Sequence, residues 1–165
     1  MKTKNIDDKL DNEIRLFLSS IEKKSRKNLL KGKQITFDEF LNNIHLIVIA
    51  IQTGIPFPIF ELIREKSTFT LAEFAKYLDT STKTINRYKL DKKSFKPIHS
   101  EKIIEIAEVV ELGYDIFDSE EQFKQWLRTP NYALRSSRPM DLLKDSYGKE
   151  MVIGELTRID HGIFA

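Results

Sequence analysis

The sequence contains no cysteine among its 165 residues. Disulfides, thiol nucleophiles, thiolate zinc sites and iron–sulfur clusters are therefore excluded, and the composition suits a reducing compartment. Long apolar runs are also lacking. Residues 41–60 carry no charge, but their uninterrupted apolar part is only Leu46–Ile51, whereas a membrane helix needs about 20 apolar residues. The segment MKTKNIDDKL lacks the apolar stretch of a signal peptide. We therefore expect a cytoplasmic protein with no membrane segment.

Motifs that carry catalysis are also scarce. The 6 glycines form neither a GxGxxG nor a GxxxxGK[ST] loop, and no GxSxG segment occurs. The 3 histidines lie far apart, and none belongs to an HExxH. His99-Ser100-Glu101 resembles the HxE of zinc deaminases, but the cysteines that this site requires are missing. His45, alone on an apolar helix, is expected in the core or at its boundary. We expect no catalytic residues, no metal and no cofactor, and hence a protein that is not an enzyme.

Helical patterning runs through almost the whole chain. Hydrophobic residues make up 41% and charged residues 32%, which is typical of a globular protein. Thr36 and Glu39 form a capping box before one helix that should continue to Gly54. Further helices are expected at about 56–66, 71–78, 82–91, from 97 to Gly113, and at 123–127 after a cap at Asp118. No alternating apolar run indicates a sheet, so the sequence predicts an all-α fold.

The net charge of +2 is unevenly distributed. Residues 1–34 hold ten Lys/Arg against five Asp/Glu, and residues 67–100 hold seven against three. Such stripes are the electrostatic pattern of proteins that bind a phosphate backbone, although lysine-rich helix faces are usually only solvated. Residues 1–34 also carry one apolar stripe. We interpret them as an appended basic amphipathic helix; a dimer seam or a basic arm against nucleic acid are the alternatives.

The segment LAEFAKYLDTSTKTINRYK, residues 71–89, matches the demands of a helix-turn-helix. Ala75 supplies the small residue where the two helices meet, and Ile85 supplies the apolar anchor of the second helix. Asp79 stands at the turn, where the backbone must be left-handed. Phe74, Leu78 and Tyr88 should complete the buried face. Residues expected to face bases are Thr82, Lys83 and Asn86. Those expected nearer the DNA backbone are Ser81, Thr84, Arg87 and Lys89. The alternative is a helix pair with a merely solvated polar face.

The C-terminal third carries a more specific pattern. It consists of WL, PN, a leucine, RP, DLL, a glycine, spaced aliphatics and HG. These positions are Trp126-Leu127, Pro130-Asn131, Leu134, Arg138-Pro139, Asp141-Leu142-Leu143, Gly148, Val152, Leu156, Ile159 and His161-Gly162. The pattern resembles the toxin-binding domain of the Xre/MbcA/ParS antitoxins, and residues from about 54 to 113 are similar to the helix-turn-helix part of that family. Two departures are Arg135-Ser136-Ser137, where a glycine-rich pair is common, and Asp79, where glycine is usual.

The resemblance implies a type II antitoxin. Such a protein neutralises a toxin, typically of the RES class that consumes NAD or transfers ADP-ribose, by covering its active-site cleft with the C-terminal segment. It also implies binding to the promoter of its own operon, as a dimer or together with the toxin. The expected domains are residues 1–34, a helix-turn-helix domain at 35–115, and a toxin-binding domain at 116–165. A stand-alone transcriptional repressor is the main alternative, followed by an enzyme or an unrelated scaffold.

Within the C-terminal domain, two groups of residues are expected. The apolar positions Trp126, Leu127, Leu142, Leu143, Val152 and Leu156 should form the domain's own core, and Pro130, Asn131 and Pro139 should shape its loop. The toxin contacts are expected at Arg138, Arg158, Asp160, His161, Gly162, Ile163 and Phe164. The sequence ends in Ile163-Phe164-Ala165, an apolar tripeptide that favours burial against a partner, either the toxin or a second copy of this chain.

Overall fold

The structure is a computed structural model that describes residues 2–25, 28–30 and 32–162. These residues form ten α-helices and a short 3-10 turn at Tyr132–Leu134. The helices are α1 (Lys2–Ser25), α2 (Phe37–Leu41), α3 (Ile44–Thr53), α4 (Phe57–Ser67), α5 (Leu71–Tyr77), α6 (Thr82–Leu90), α7 (Pro97–Ile116), α8 (Glu120–Arg128), α9 (Pro139–Leu142) and α10 (Ser146–Asp160). Extended backbone in these ranges pairs only at two isolated bridges, Pro56 with Ser94 and Asn131 with Ser137. The all-α prediction is confirmed.

Helix α1 packs along α4 and buries its apolar stripe. Leu10, Ile14 and Leu18 are fully buried. Asp11 fixes the next segment because its Oδ1 accepts a hydrogen bond of 2.7 Å from the backbone N of Phe37. The stripe therefore faces this chain's own core and is not free to form a dimer seam. The basic residues that follow it include Arg26, Lys27 and Lys31, which lie outside the described residues.

Three helix boundaries differ from the prediction. The prediction of a single helix from Phe37 to Gly54 is wrong, because this segment forms two helices, α2 and α3. The Asn43 side chain accepts a hydrogen bond from the backbone N of Leu46 and thereby starts the second helix. Helix α7 does not stop at Gly113 but continues to Ile116. The cap before α8 is Ser119, not Asp118, since the Ser119 hydroxyl accepts from the backbone N of Gln122.

Helix α7 is the central element, since α3, α4 and α10 all pack against it. Gly113 permits the contact with α8: a Cβ there would lie 2.1 Å from Cε2 of Phe123. A cluster of rings fills the space among α4, α5 and α6, with Phe60 at 5.1 Å from Phe74 and 4.9 Å from Phe95 between ring centroids. Among the described helices, none is long and apolar enough to span a bilayer.

The outer face of α3 remains in solvent. Ile44 is 70% exposed and Val48, one turn further, is 45% exposed. His45 is exposed beside them. The expectation that His45 lies in the core or at its boundary is therefore wrong, because α3 directs Leu46 and Ala50 inwards instead.

Candidate functional site

The helix pair α5–α6 has the local geometry that the sequence predicts. A capping box at Thr70 and Glu73 starts α5. Asp79 adopts the left-handed conformation, with φ of 47°, which confirms the predicted turn. Ala75 is 6% exposed, Ile85 is fully buried, and Phe74 and Leu78 are buried with them, whereas Tyr88 is only half-buried. The second helix is therefore anchored from one side, which leaves its other side outward.

The outward side of α6 carries most of the predicted DNA contacts. Thr82, Lys83, Asn86, Arg87 and Lys89 are exposed. Ser81 and Thr84 differ from these because their hydroxyls are engaged locally. The Ser81 Oγ accepts from the backbone N of Thr84 at 3.1 Å and lies 3.0 Å from the Thr84 Oγ1. These two residues therefore stabilise the start of α6, and the five exposed side chains are the ones available to a ligand.

Further cations surround this helix. Lys76 on α5 and Lys92, Lys93 and Lys96 after α6 are all exposed. Lys93 forms an exposed ion pair of 3.3 Å with Asp91. The Lys89 Nζ lies 6.0 Å from the centroid of the Phe57 ring, which helps to hold this side chain over α4. A polyanion approaching α6 would thus meet several positive side chains on this helix and in the segments next to it.

The C-terminal segment forms a packed unit on α7. Leu127, Leu143, Val152 and Leu156 are buried, as predicted. Trp126 and Leu142 are half-buried and pack at the margin of the same core. Gly148 allows α10 to approach α9 closely, since a Cβ there would lie 2.0 Å from the Leu142 carbonyl oxygen. The apolar part of the motif is therefore needed for folding.

The loop between α8 and α9 is held by Asn131. Its Oδ1 accepts a hydrogen bond of 2.8 Å from the backbone N of Ala133, and its Nδ2 lies 3.4 Å from the Glu155 Oε1. Arg135 and Ser136 have φ of 55° and 58°. Left-handed backbone favours glycine, so a glycine-rich pair would fit at these two positions without strain. The loop keeps its shape here with non-glycine residues.

The predicted toxin contacts fall into two places. Arg158, Asp160, His161 and Gly162 are exposed at the end of α10, where the His161 Nδ1 lies 2.9 Å from the Thr157 carbonyl oxygen. Arg138 lies on another element, before α9, and is paired with Asp141 at 2.7 Å and 3.0 Å. Ile163 and Phe164 lie outside the described residues. Arg158 is paired with the buried Glu155.

Three exposed apolar side chains were not predicted as contacts. Tyr132 and Tyr147 are each 88% exposed, and Met151 is 42% exposed. Tyr147 and Met151 follow the periodicity of α10 on the side opposite to Val152 and Leu156. The helical spacing of Tyr147 and Met151 can be recognised in the sequence once the inward face of α10 is known. Tyr132 gives no such signal because it lies in a loop.

An ion pair connects the two halves of the chain. The Arg128 Nη1 at the end of α8 lies 2.8 Å from the Glu73 Oε1 at the start of α5. Burial acts to raise the pKa of Glu73, but the hydrogen bonds from Arg128 and from Thr70 outweigh it and lower the pKa. Glu73 therefore stays ionised while it caps α5 and binds Arg128. In the described parts of the chain, no group of three His, Asp or Glu side chains is placed to hold a metal ion.

Comparison with known proteins finds two antitoxin-related proteins that are similar to this chain. A curated relative, the "Prs ADP-ribosylating antitoxin" of Sphingobium sp. (strain YBL2), is 32% identical over an alignment of 97 residues, and the alignment covers 53% of this chain. The chain spans 61% of the length of that relative. A chain in the crystal structure of the M. tuberculosis MbcT–MbcA toxin–antitoxin complex aligns with a TM-score of 0.54 at 21% identity, covering 64% of this chain and 94% of that one, which shows a shared fold.

The match to a family is confined to the C-terminal third. Residues 112–162 match the antitoxin Xre/MbcA/ParS C-terminal toxin-binding domain. The match begins within α7, upstream of residue 116, where the sequence predicts that the domain starts; the three domain limits stay predictions. Over residues 112–162, the chain is therefore similar to the Xre/MbcA/ParS C-terminal toxin-binding domain.

Proposed function

We propose that the chain is the antitoxin of a type II toxin–antitoxin pair and acts by binding, not as an enzyme. In this proposal the C-terminal domain covers the active-site cleft of a RES-class toxin, and α6 binds promoter DNA for autoregulation. The observation that carries it is the match of residues 112–162 to a toxin-binding domain. The RES class of the toxin is supported by the sequence resemblance.

Binding to promoter DNA is supported by α6. Its five exposed polar and cationic residues lie next to four exposed lysines. A helix of this kind fits the major groove, where short polar side chains contact base edges and cations contact phosphates. The same observation favours the second candidate function, a transcriptional repressor that has no toxin partner.

Homodimerisation is supported by α3. Residues 41–60 contain no charged side chain although 32% of the chain is charged, and Ile44 and Val48 are exposed there. Burying a charged side chain costs free energy, and two copies of this face can pair without burying one. A two-fold pair of helix-turn-helix units is also the arrangement that binds two half-sites on DNA.

The toxin proposal is tested by co-expression with the protein encoded beside this chain, followed by size-exclusion chromatography. We expect the two proteins to elute together, and Asp160→Arg to weaken the complex because Asp160 is exposed near the predicted contacts. Asp118→Arg is the matched control, since Asp118 is an exposed carboxylate before α8. Truncation of α10 is unsuitable, because Val152 and Leu156 are fully buried and their removal would unfold the domain. Separate elution of two folded proteins would contradict the toxin proposal and favour the repressor.

A further inference from the structure

One face of α10 is left uncovered along its whole length. Tyr147, Met151, Gly154 and Arg158 recur at spacings of four, three and four residues, which places them on a single side of a helix. All four are exposed. We call this face the α10 stripe. Its two apolar members, Tyr147 and Met151, are of the residue types that bind protein partners well, since tyrosine is large and amphipathic and methionine adapts its shape.

Gly154 is the unusual member of the α10 stripe. Glycine in a helix interior makes the helix less stable than alanine does, so a glycine at this position needs an explanation. Gly148 has such a reason within the chain, because a Cβ would collide with the Leu142 carbonyl oxygen at 2.0 Å. At Gly154, by contrast, a Cβ would meet nothing within 4 Å apart from its chain neighbours and the backbone of its own helix. The backbone is helical there, so a left-handed conformation does not explain the glycine either.

The stripe also adjoins a cavity. Glu155 and Ile159 of α10, Trp126 of α8 and Tyr132 of the loop line a cavity of about 340 Å³. The Trp126 Nε1 is buried and has no hydrogen-bond partner among the described residues. Arg158 connects the two features, since it belongs to the stripe and pairs with Glu155. Tyr132, which is 88% exposed at this cavity, adds a second element to the surface near α10, and a specific interface of about 800 Å² per partner needs more than one helix face.

We infer that the α10 stripe is the surface that packs against the toxin, with the toxin backbone lying directly on α10 at Gly154. The inference rests on the proposed function, because the stripe lies inside the matched segment 112–162. The partner that fits is a protein surface with an apolar patch opposite Tyr147 and Met151. It needs a main-chain segment that can approach α10 where the side chain is absent. Any side chain at position 154 would hold this segment away.

The test uses two substitutions whose effects on folding and on binding have opposite signs. Gly154→Ala raises helix propensity, so we expect the melting temperature of the free chain to rise by roughly 2–4 °C. The same change places a methyl group at the contact, so we expect the dissociation constant for the protein encoded beside this chain to increase about tenfold or more. Gly154→Arg should keep the fold, since arginine is also a good helix former, and abolish binding.

Two control variants separate these effects from folding and from charge. Gln125→Arg adds the same charge at an exposed position in the middle of α8, and it should bind like the original chain. Gly148→Ala should lower the melting temperature, because its Cβ collides within the chain. The measurements are thermal unfolding of the free full chain and titration of each variant with the neighbouring protein.

Each outcome decides the inference. Stable Gly154 variants with weakened binding support it. Stable Gly154 variants that bind the neighbouring protein as well as the original chain does would overturn it and leave the proposed function standing. If the Gly154 variants lose self-association while toxin binding is unchanged, the stripe faces a second copy of the chain and the inference is wrong. If the original chain binds no toxin, the proposed function fails and the inference fails with it.

Discussion

At the scale of single residues, Lys66 is the buried charge that joins three helices. It is 8% exposed, and its Nζ lies 2.7 Å from the Asp7 Oδ1 on α1 and 2.5 Å from the Glu111 Oε1 on α7. Burial acts to lower the pKa of Lys66, but its hydrogen bonds to Asp7 and Glu111 outweigh it and raise the pKa. The Tyr114 hydroxyl donates a hydrogen bond of 2.6 Å to the Lys66 carbonyl oxygen. The cation is therefore held in a single arrangement.

Replacing this cation should destabilise the fold. Lys66→Met leaves Glu111 half-buried without its positive partner, and removing one member of a buried ion pair costs about 3 kcal/mol. We expect a loss of this size in the free energy of unfolding, measured by urea denaturation. Lys9→Met, at an exposed position on α1, is the control and should change little. A loss of less than about 1 kcal/mol for Lys66→Met would show that the ion pair is no better than a surface pair.

Some residue-level features could be predicted from the sequence and others could not. Asp79 was predictable because a turn at a fixed distance from Ala75 demands a left-handed residue, and aspartate tolerates that conformation. The role of Gly113 was not, since it depends on the Phe123 ring of another helix. Gly154 gives no such signal for the opposite reason, because a Cβ there would meet nothing within 4 Å beyond its neighbours and its own helix backbone.

At the scale of elements, the sequence located most helices but not all of their ends. Capping boxes at Thr36 and Thr70 and the cap at Ser81 mark starts that the structure confirms. The α2–α3 break was missed because the apolar spacing continues across Asn42 and Asn43. The end of α7 was misplaced because a glycine normally signals a helix end. Here Gly113 provides space for a ring, and the helix continues beyond it.

Helix α6 supplies the prediction that belongs to this scale. Arg87 is expected to contact the DNA backbone. Arg87→Ala should therefore weaken binding to promoter DNA and to unrelated DNA alike, and it should reduce the salt dependence of binding by about one phosphate contact. Asn86→Ala should instead cost about 1–3 kcal/mol on the operator and little on unrelated DNA, because a base contact carries specificity.

Fluorescence anisotropy at several salt concentrations distinguishes these two effects. Lys144→Ala, at an exposed lysine after α9, is the matched control for loss of a positive charge. Unchanged affinity for both α6 variants would contradict the prediction and leave α6 as a solvated helix.

At the scale of the whole molecule, one central helix connects the α5–α6 region with the segment 112–162 that matches a toxin-binding domain. Helix α7 packs against α3 and α4 and also against α10. The Arg128–Glu73 ion pair closes a second connection between the halves. The buried apolar side chains of these helices belong to one continuous core cluster. Contacts between residues as distant as Glu73 and Arg128 leave no periodic signal, so sequence patterns could not predict them.

The most direct test of this account is growth of cells that make the neighbouring protein. Induction of that protein alone should arrest growth, because it is the toxin of the proposed pair. Simultaneous production of this full chain should restore growth to the rate of uninduced cells, since residues 112–162 would bind the toxin and block its active site. Growth arrest that persists although both folded proteins accumulate would contradict the account.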